Sequence, residues 1–99
     1  MINLYILDEN NELVLEEDIL KWARWYDKVE NRQIALDQNE DGSIGVSTVF
    51  LGLECAGGRF FETLISGGKH HGEYIGASTY SKALDNHKHM CFRAGIKGE

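Results

Sequence analysis

The chain opens on a short apolar run, Asn3-Leu4-Tyr5-Ile6-Leu7, which predicts a strand. Asp8-Glu9-Asn10-Asn11 is a turn by composition, and Leu13-Val14 returns as a second short strand. The period then changes. Leu15, Ile19, Trp22, Ala23, Tyr26 and Val29 recur at helical spacing and predict a helix over about 16–28. Glu16, Glu17 and Asp18 stand near its start, where carboxylates meet the positive end of the helix dipole. Trp25 lies off this stripe. It is either a rim residue half covered by a neighbouring strand or an exposed aromatic anchor for a partner. With Arg24 and Tyr26 it makes a candidate partner-binding set.

Residues 32–37 and 44–53 both suit strands, with a polar stretch between them. Glu54 to Gly58 is a Gly-rich loop, Phe60 to Ile65 is a strand, and Gly67-Gly68 end it. Glu73 to Ala77 is a further short strand. Ser78-Thr79 then caps a helix running to about Ala94, with Gly95 as its C-cap. Tyr80, Ala83, Leu84, His87, Cys91 and Ala94 form its apolar stripe. This layout predicts one α+β domain over 1–99: a small antiparallel sheet of about four to five strands packed with two helices.

Charge narrows the functions. Residues 1–41 hold eleven acids against four bases, a balance of −7, and the remainder sums to +1. A chain with net charge −6 is not expected to bind nucleic acid by neutralising phosphates. No apolar run approaches the length of a membrane span, and MINLYILDEN lacks the basic start and cleavage site of a signal peptide. Two cysteines, Cys55 and Cys91, are too few for a disulfide framework; with nothing to mark the chain as secreted, reduced thiols are the default, and a single bridge between the two stays open.

Several residues invite chemistry. In DQNEDGSIG, Asp37, Asn39 and Asp41 occupy positions 1, 3 and 5 of a calcium loop, with Gly42 at 6. Thr48 then stands where the bidentate carboxylate belongs, and β-branched residues follow where a helix is required. The competing reading is a hairpin turn built on Asp41-Gly42. His87 and Cys91, at i and i+4, share a helix face and are candidate zinc ligands if His70, His71 or Cys55 approaches. Glu62, inside the apolar FFETLI, is the candidate acid. It shares a face with Phe60 and Leu64, while Phe61, Thr63 and Ile65 share the other. No nucleophile elbow frames a Ser or Cys beside a His. Neither Gly57-Gly58 nor Gly67-Gly68 opens a phosphate-binding helix, and no cofactor is expected.

Through WARWYD, VSTVFLGLE, FFETLISGG and YIGASTYSKALDNH, the chain resembles a widespread family of small proteins encoded by tailed bacteriophages and prophages. The likeness runs from Tyr5 to about His87. The family's Asp-His after LGL is Glu54-Cys55 here, its Pro-containing loop is shortened to Ala56-Gly57-Gly58, and its Glu-Glu is Ser81-Lys82. The resemblance implies a phage origin and a role in the cytoplasm of the infected bacterium. It implies no particular chemistry. The leading expectation is a non-enzymatic accessory protein that binds a host or phage protein, such as a takeover or anti-defence inhibitor. The alternative is a metal-dependent or acid–base enzyme, or a small-molecule binder, using Glu62 with the histidines and cysteines. A homodimer through an edge strand or the Trp25 patch is also open.

Overall fold

The computed structural model describes residues 2–96. In chain order its elements are β1 (Tyr5–Leu7), β2 (Leu13–Leu15), α1 (Ile19–Asp27), α2 (Val29–Arg32), β3 (Gln33–Gln38), β4 (Gly45–Cys55), β5 (Arg59–Ser66), β6 (Tyr74–Ala77) and α3 (Tyr80–Ala94). The fold is α+β. β1 and β2 form a two-stranded antiparallel hairpin, and β3-β4-β5-β6 form a four-stranded antiparallel sheet in sequence order. The short helix α2 and the separation of the hairpin from the main sheet are additions to the sequence expectation. A bridge between Leu4 and Leu53 ties the hairpin to the end of β4. No helix among the described residues is long and apolar enough to cross a membrane.

β4 explains the layering. Its residues alternate between buried and half-buried along nearly the whole strand, so it has one covered face and one open face. Val46, Thr48 and Phe50 point to the covered side, and on β5 their register partners Ile65, Thr63 and Phe61 do the same. α3 packs there. Its buried residues Ala83, Asn86, His87, Met90 and Cys91 recur at three- and four-residue spacing. The Thr79 side chain caps its N-terminus by accepting from Lys82 N–H, and Gly95 closes it with φ +78°, a conformation that favours glycine.

The covered side holds two apolar clusters. Leu7, Phe50, Phe61, Ala77 and Ala83 form one, and Val46, Ile65, Met90, Cys91 and Ile96 form the other. Fully burying each large side chain stabilises the fold by about 1.5–3 kcal/mol, so these clusters dominate single polar contacts. Thr48 and Thr63 sit between them in sequence on both central strands.

α1 corrects the expected stripe. Asp18 caps it, accepting from Leu20 N–H at 3.0 Å and Lys21 N–H at 3.3 Å, so it begins at Ile19. Ile19 and Val29 are exposed at 65% and 54%, and Ala23 is also exposed. The face turned to the protein is instead Trp22, Trp25 and Tyr26. Gly52 is the reason. A Cβ there would lie 2.8 Å from Trp22 Cζ2 and 2.9 Å from Tyr26 Cε1, and its φ is +79°. The missing side chain lets both rings settle on β4. They stack at 4.9 Å, Trp22 Nε1 donates to the Tyr5 carbonyl, and the Tyr26 hydroxyl donates to the Phe50 carbonyl.

Candidate functional site

The most developed polar site lies between the two apolar clusters. Asp37 comes from β3, Thr48 from β4, Thr63 from β5, and His87 and Cys91 from α3. Strand alternation turns Thr48 and Thr63 inward side by side, with their hydroxyls 2.7 Å apart. His87 Nδ1 lies 2.7 Å from the Thr48 hydroxyl, and His87 Nε2 lies 2.7 Å from Asp37 Oδ2. The Cys91 thiol, one helical turn on, reaches the same Asp37 oxygen at 3.8 Å.

Every polar group in this line has a partner. With a neutral ring, Asp37 accepts from Nε2–H, Nδ1 accepts from the Thr48 hydroxyl, and Thr48 accepts from the Thr63 hydroxyl. A hydroxyl both donates and accepts, so the threonine pair can also accept from Nδ1–H, but a neutral ring then leaves Nε2 facing the Asp37 carboxylate with no proton between them, and the Nε2–H tautomer is the one that pairs the line. This satisfaction is what makes a buried imidazole and two buried hydroxyls compatible with an apolar core. Burial, then the nearby Asp37 charge and hydrogen bond, push the Cys91 thiol up to about 11. It is therefore a protonated, unreactive thiol by itself.

Hydroxyl, imidazole and carboxylate in line resemble a nucleophile, base and orienter. Exposure decides against that chemistry. Thr48 is 0% exposed and Thr63 1%, so no substrate carbonyl can reach either hydroxyl. Only Asp37, with its side chain 43% exposed, opens the line to solvent.

The other sequence candidates are distributed differently. Asp37 turns toward α3, away from the residues of the calcium pattern. Asn39 and Asp41 serve the β3–β4 turn: Asp41 Oδ1 accepts from the Ser43 N–H and hydroxyl, and Asn39 Oδ1 accepts from Ile44 N–H. His71 and His70 lie in the β5–β6 connection. His71 Nδ1 accepts from Gly67 N–H, and His70 Nδ1 lies 2.8 Å from Glu73. Glu73 also pairs with Arg93 of α3, and these two contacts, Arg93 foremost, hold its carboxyl down at about 2. Cys55 sits half-buried at the end of β4, a free thiol like Cys91. Neither His70, His71 nor Cys55 joins His87.

Glu62 is on the opposite face of the sheet from His87, so the grouping of Glu62 with the His/Cys cluster does not form. It lies 3.8 Å from Arg59, whose chain crosses Gly76 so closely that a Cβ there would meet Arg59 Cδ at 2.0 Å. Trp25 is also placed otherwise than as a free anchor. Its ring meets Phe50 edge-on at 5.8 Å and packs against the core cluster. Tyr26 is held against β4 with Arg32 above its ring, and of the candidate set Arg24 alone is exposed.

What sequence reasoning missed is the open face of the sheet. Leu36, Ser47, Leu64 and Tyr74 are successive register partners across β3, β4, β5 and β6. Leu36, Leu64 and Tyr74 are 56%, 39% and 61% exposed. The open face of a half-covered antiparallel sheet is ordinarily polar. The signal was present in the alternation: Leu36 and Leu64 stand at positions where a half-buried strand shows water a polar residue. No family model, no curated protein and no solved structure matches this chain.

Proposed function

We propose that this is a small phage accessory protein that acts by binding another protein, of host or phage, through the open face of its four-stranded sheet. The observation that carries the reading is the transverse row Leu36–Ser47–Leu64–Tyr74, three large exposed apolar side chains on a rigid platform. Exposed apolar rows on rigid elements mark interaction sites, because burying them gains free energy without ordering a flexible segment. Val49 of β4, half-buried, lies on the same face in the next row, between Gln33 and Glu62, and the Arg59–Glu62 pair supplies a charged border. The net charge of −6 favours a partner with a basic rim and works against a second copy. On this reading, which the phage resemblance motivates, the encounter takes place in the cytoplasm of an infected bacterium. Blocking a host enzyme or a defence component is a function such a surface can perform without catalysis.

The test uses neutral replacements, which keep the charge. Tagged wild-type protein, the triple variant Leu36→Ser/Leu64→Ser/Tyr74→Ser and Phe92→Ser are used to capture partners from host lysate. Phe92 is 85% exposed on α3, so it controls for general stickiness. The expected result is a partner held by wild type and by Phe92→Ser and lost by the triple variant. Capture that ignores the triple variant contradicts the reading. A wild-type dimer by light scattering that the triple variant dissolves would make the occupant a second copy and also overturn it.

A further inference from the structure

Asp37, His87 and Cys91 present a carboxylate oxygen, an imidazole nitrogen and a sulfur, all within 4.8 Å of one another. The geometry points to a function for this cluster beyond packing: we propose that Asp37, His87 and Cys91 bind one divalent transition-metal ion of the zinc class, leaving a fourth position to water.

The donor set selects the ion. One nitrogen, one sulfur and one oxygen suit a tetrahedral zinc-type centre, whereas calcium and magnesium require oxygen ligands. Tetrahedral bonds of about 2.0–2.2 Å to nitrogen and oxygen and about 2.3 Å to sulfur set ligand atoms about 3.3–3.6 Å apart. Cys91 Sγ to Asp37 Oδ2 is 3.8 Å, already close to this spacing. His87 Nε2 to Asp37 Oδ2 is 2.7 Å, so a metal replaces the proton between them and Asp37 retreats by about 0.6 Å. Asp37 is the ligand able to move, since it lies one residue from the end of β3 with its side chain 43% exposed. His87 and Cys91 are carried by one helix, and their ligand atoms, within 4.8 Å of each other, reach the tetrahedral spacing of about 3.6 Å by side-chain rotation.

Three features complete the site. His87 and Cys91 are one turn apart, so a single helix supplies two ligands in fixed relation. Thr48 and Thr63 orient the imidazole: metal on Nε2 requires the proton on Nδ1, and the threonine pair accepts it by reversing the direction of its hydroxyl bonds. The exposed side of Asp37 provides the access route and the open position. This inference is independent of the docking face, which lies on the other side of the sheet.

The experiment titrates the chelator-treated full chain with cobalt(II) and follows its absorption. The expected result is one equivalent bound, with visible d–d bands of tetrahedral intensity, a near-ultraviolet thiolate charge-transfer band, and displacement by zinc. Cys91→Ala should lose the charge-transfer band, and Thr48→Val should weaken binding by about 10–100-fold without changing the stoichiometry. Zinc should raise the melting temperature of wild type and not that of Cys91→Ala. Folded wild-type protein that binds no cobalt overturns the proposal. So does cobalt bound without a thiolate band, which would put the ion on surface imidazoles such as His70, His71 and His89. Cys55→Ser should keep the thiolate band, and its loss there would also overturn the proposal, so the assignment stands or falls even if Cys91→Ala fails to fold.

Discussion

Replacing Thr48 by valine removes one hydroxyl from the centre of the molecule with little change in shape. That hydroxyl is 2.7 Å from both His87 Nδ1 and Thr63 Oγ1, and Thr48 is fully buried. The variant therefore strands an imidazole nitrogen and a second hydroxyl in an apolar setting. A buried polar group left unpaired costs about 1–3 kcal/mol, partly offset by the added methyl group. Thr63→Val is different. It removes the end of the chain and leaves Thr48 bonded to His87, so its cost should stay under about 1 kcal/mol. Urea unfolding of both variants measures the difference. By thermal melting, each kcal/mol corresponds to about 4–8 °C for a domain of this size. The expected order is wild type, then Thr63→Val, then Thr48→Val. A Thr48→Val protein as stable as wild type, or one more stable than Thr63→Val, would refute the claim that this hydroxyl sustains the buried histidine.

Further outcomes follow from separate parts of the structure. Gly52→Ala should cost at least about 1–3 kcal/mol more than Gly57→Ala, because only at Gly52 does a new Cβ strike the Trp22 and Tyr26 rings; equal melting temperatures would contradict the packing of α1. Mass spectrometry of the chelator-treated native protein should show alkylation at Cys55 well before the buried Cys91; equal rates would contradict the placement of α3. The Glu73 carboxyl is depressed from 4.5 to about 2 by Arg93 and then His70. A depressed acid stabilises the fold fully above its unfolded value and loses that effect as pH falls through its folded one. The stability gap between wild type and Glu73→Gln should therefore be largest above pH 4.5 and close toward about 2. A gap that widens on acidification would reverse the sign of the argument.

Much of the fold is legible because it is local. The Thr79 cap and the Gly95 terminus of α3 act within a turn of their own positions, and strand alternation in VSTVF and FFETLI assigns each residue a face. The facing of α1 is not legible. Its hydrophobic spacing admits two faces, and the choice is made by a notch at Gly52 that lies far along the chain. Asp37 shows the same limit for the site. Read with its neighbours it begins a calcium pattern, yet its partner His87 is 50 residues away on α3. Thr48 and Thr63 look like ordinary β-branched strand residues. Their role appears only when β4 and β5 are set in register and α3 is laid across them. Glu62 sits one residue from Thr63, and alternation alone is enough to separate it from the histidine.

The most direct measurement of the central claim is the paired capture with wild type and Leu36→Ser/Leu64→Ser/Tyr74→Ser, each first checked for an unchanged melting curve. The expected result is one protein retained by wild type and by Phe92→Ser and released by the triple variant, with a loss in affinity of at least about tenfold, or 1.4 kcal/mol. Retention by a folded triple variant at wild-type affinity would show that the open sheet face is not the binding surface.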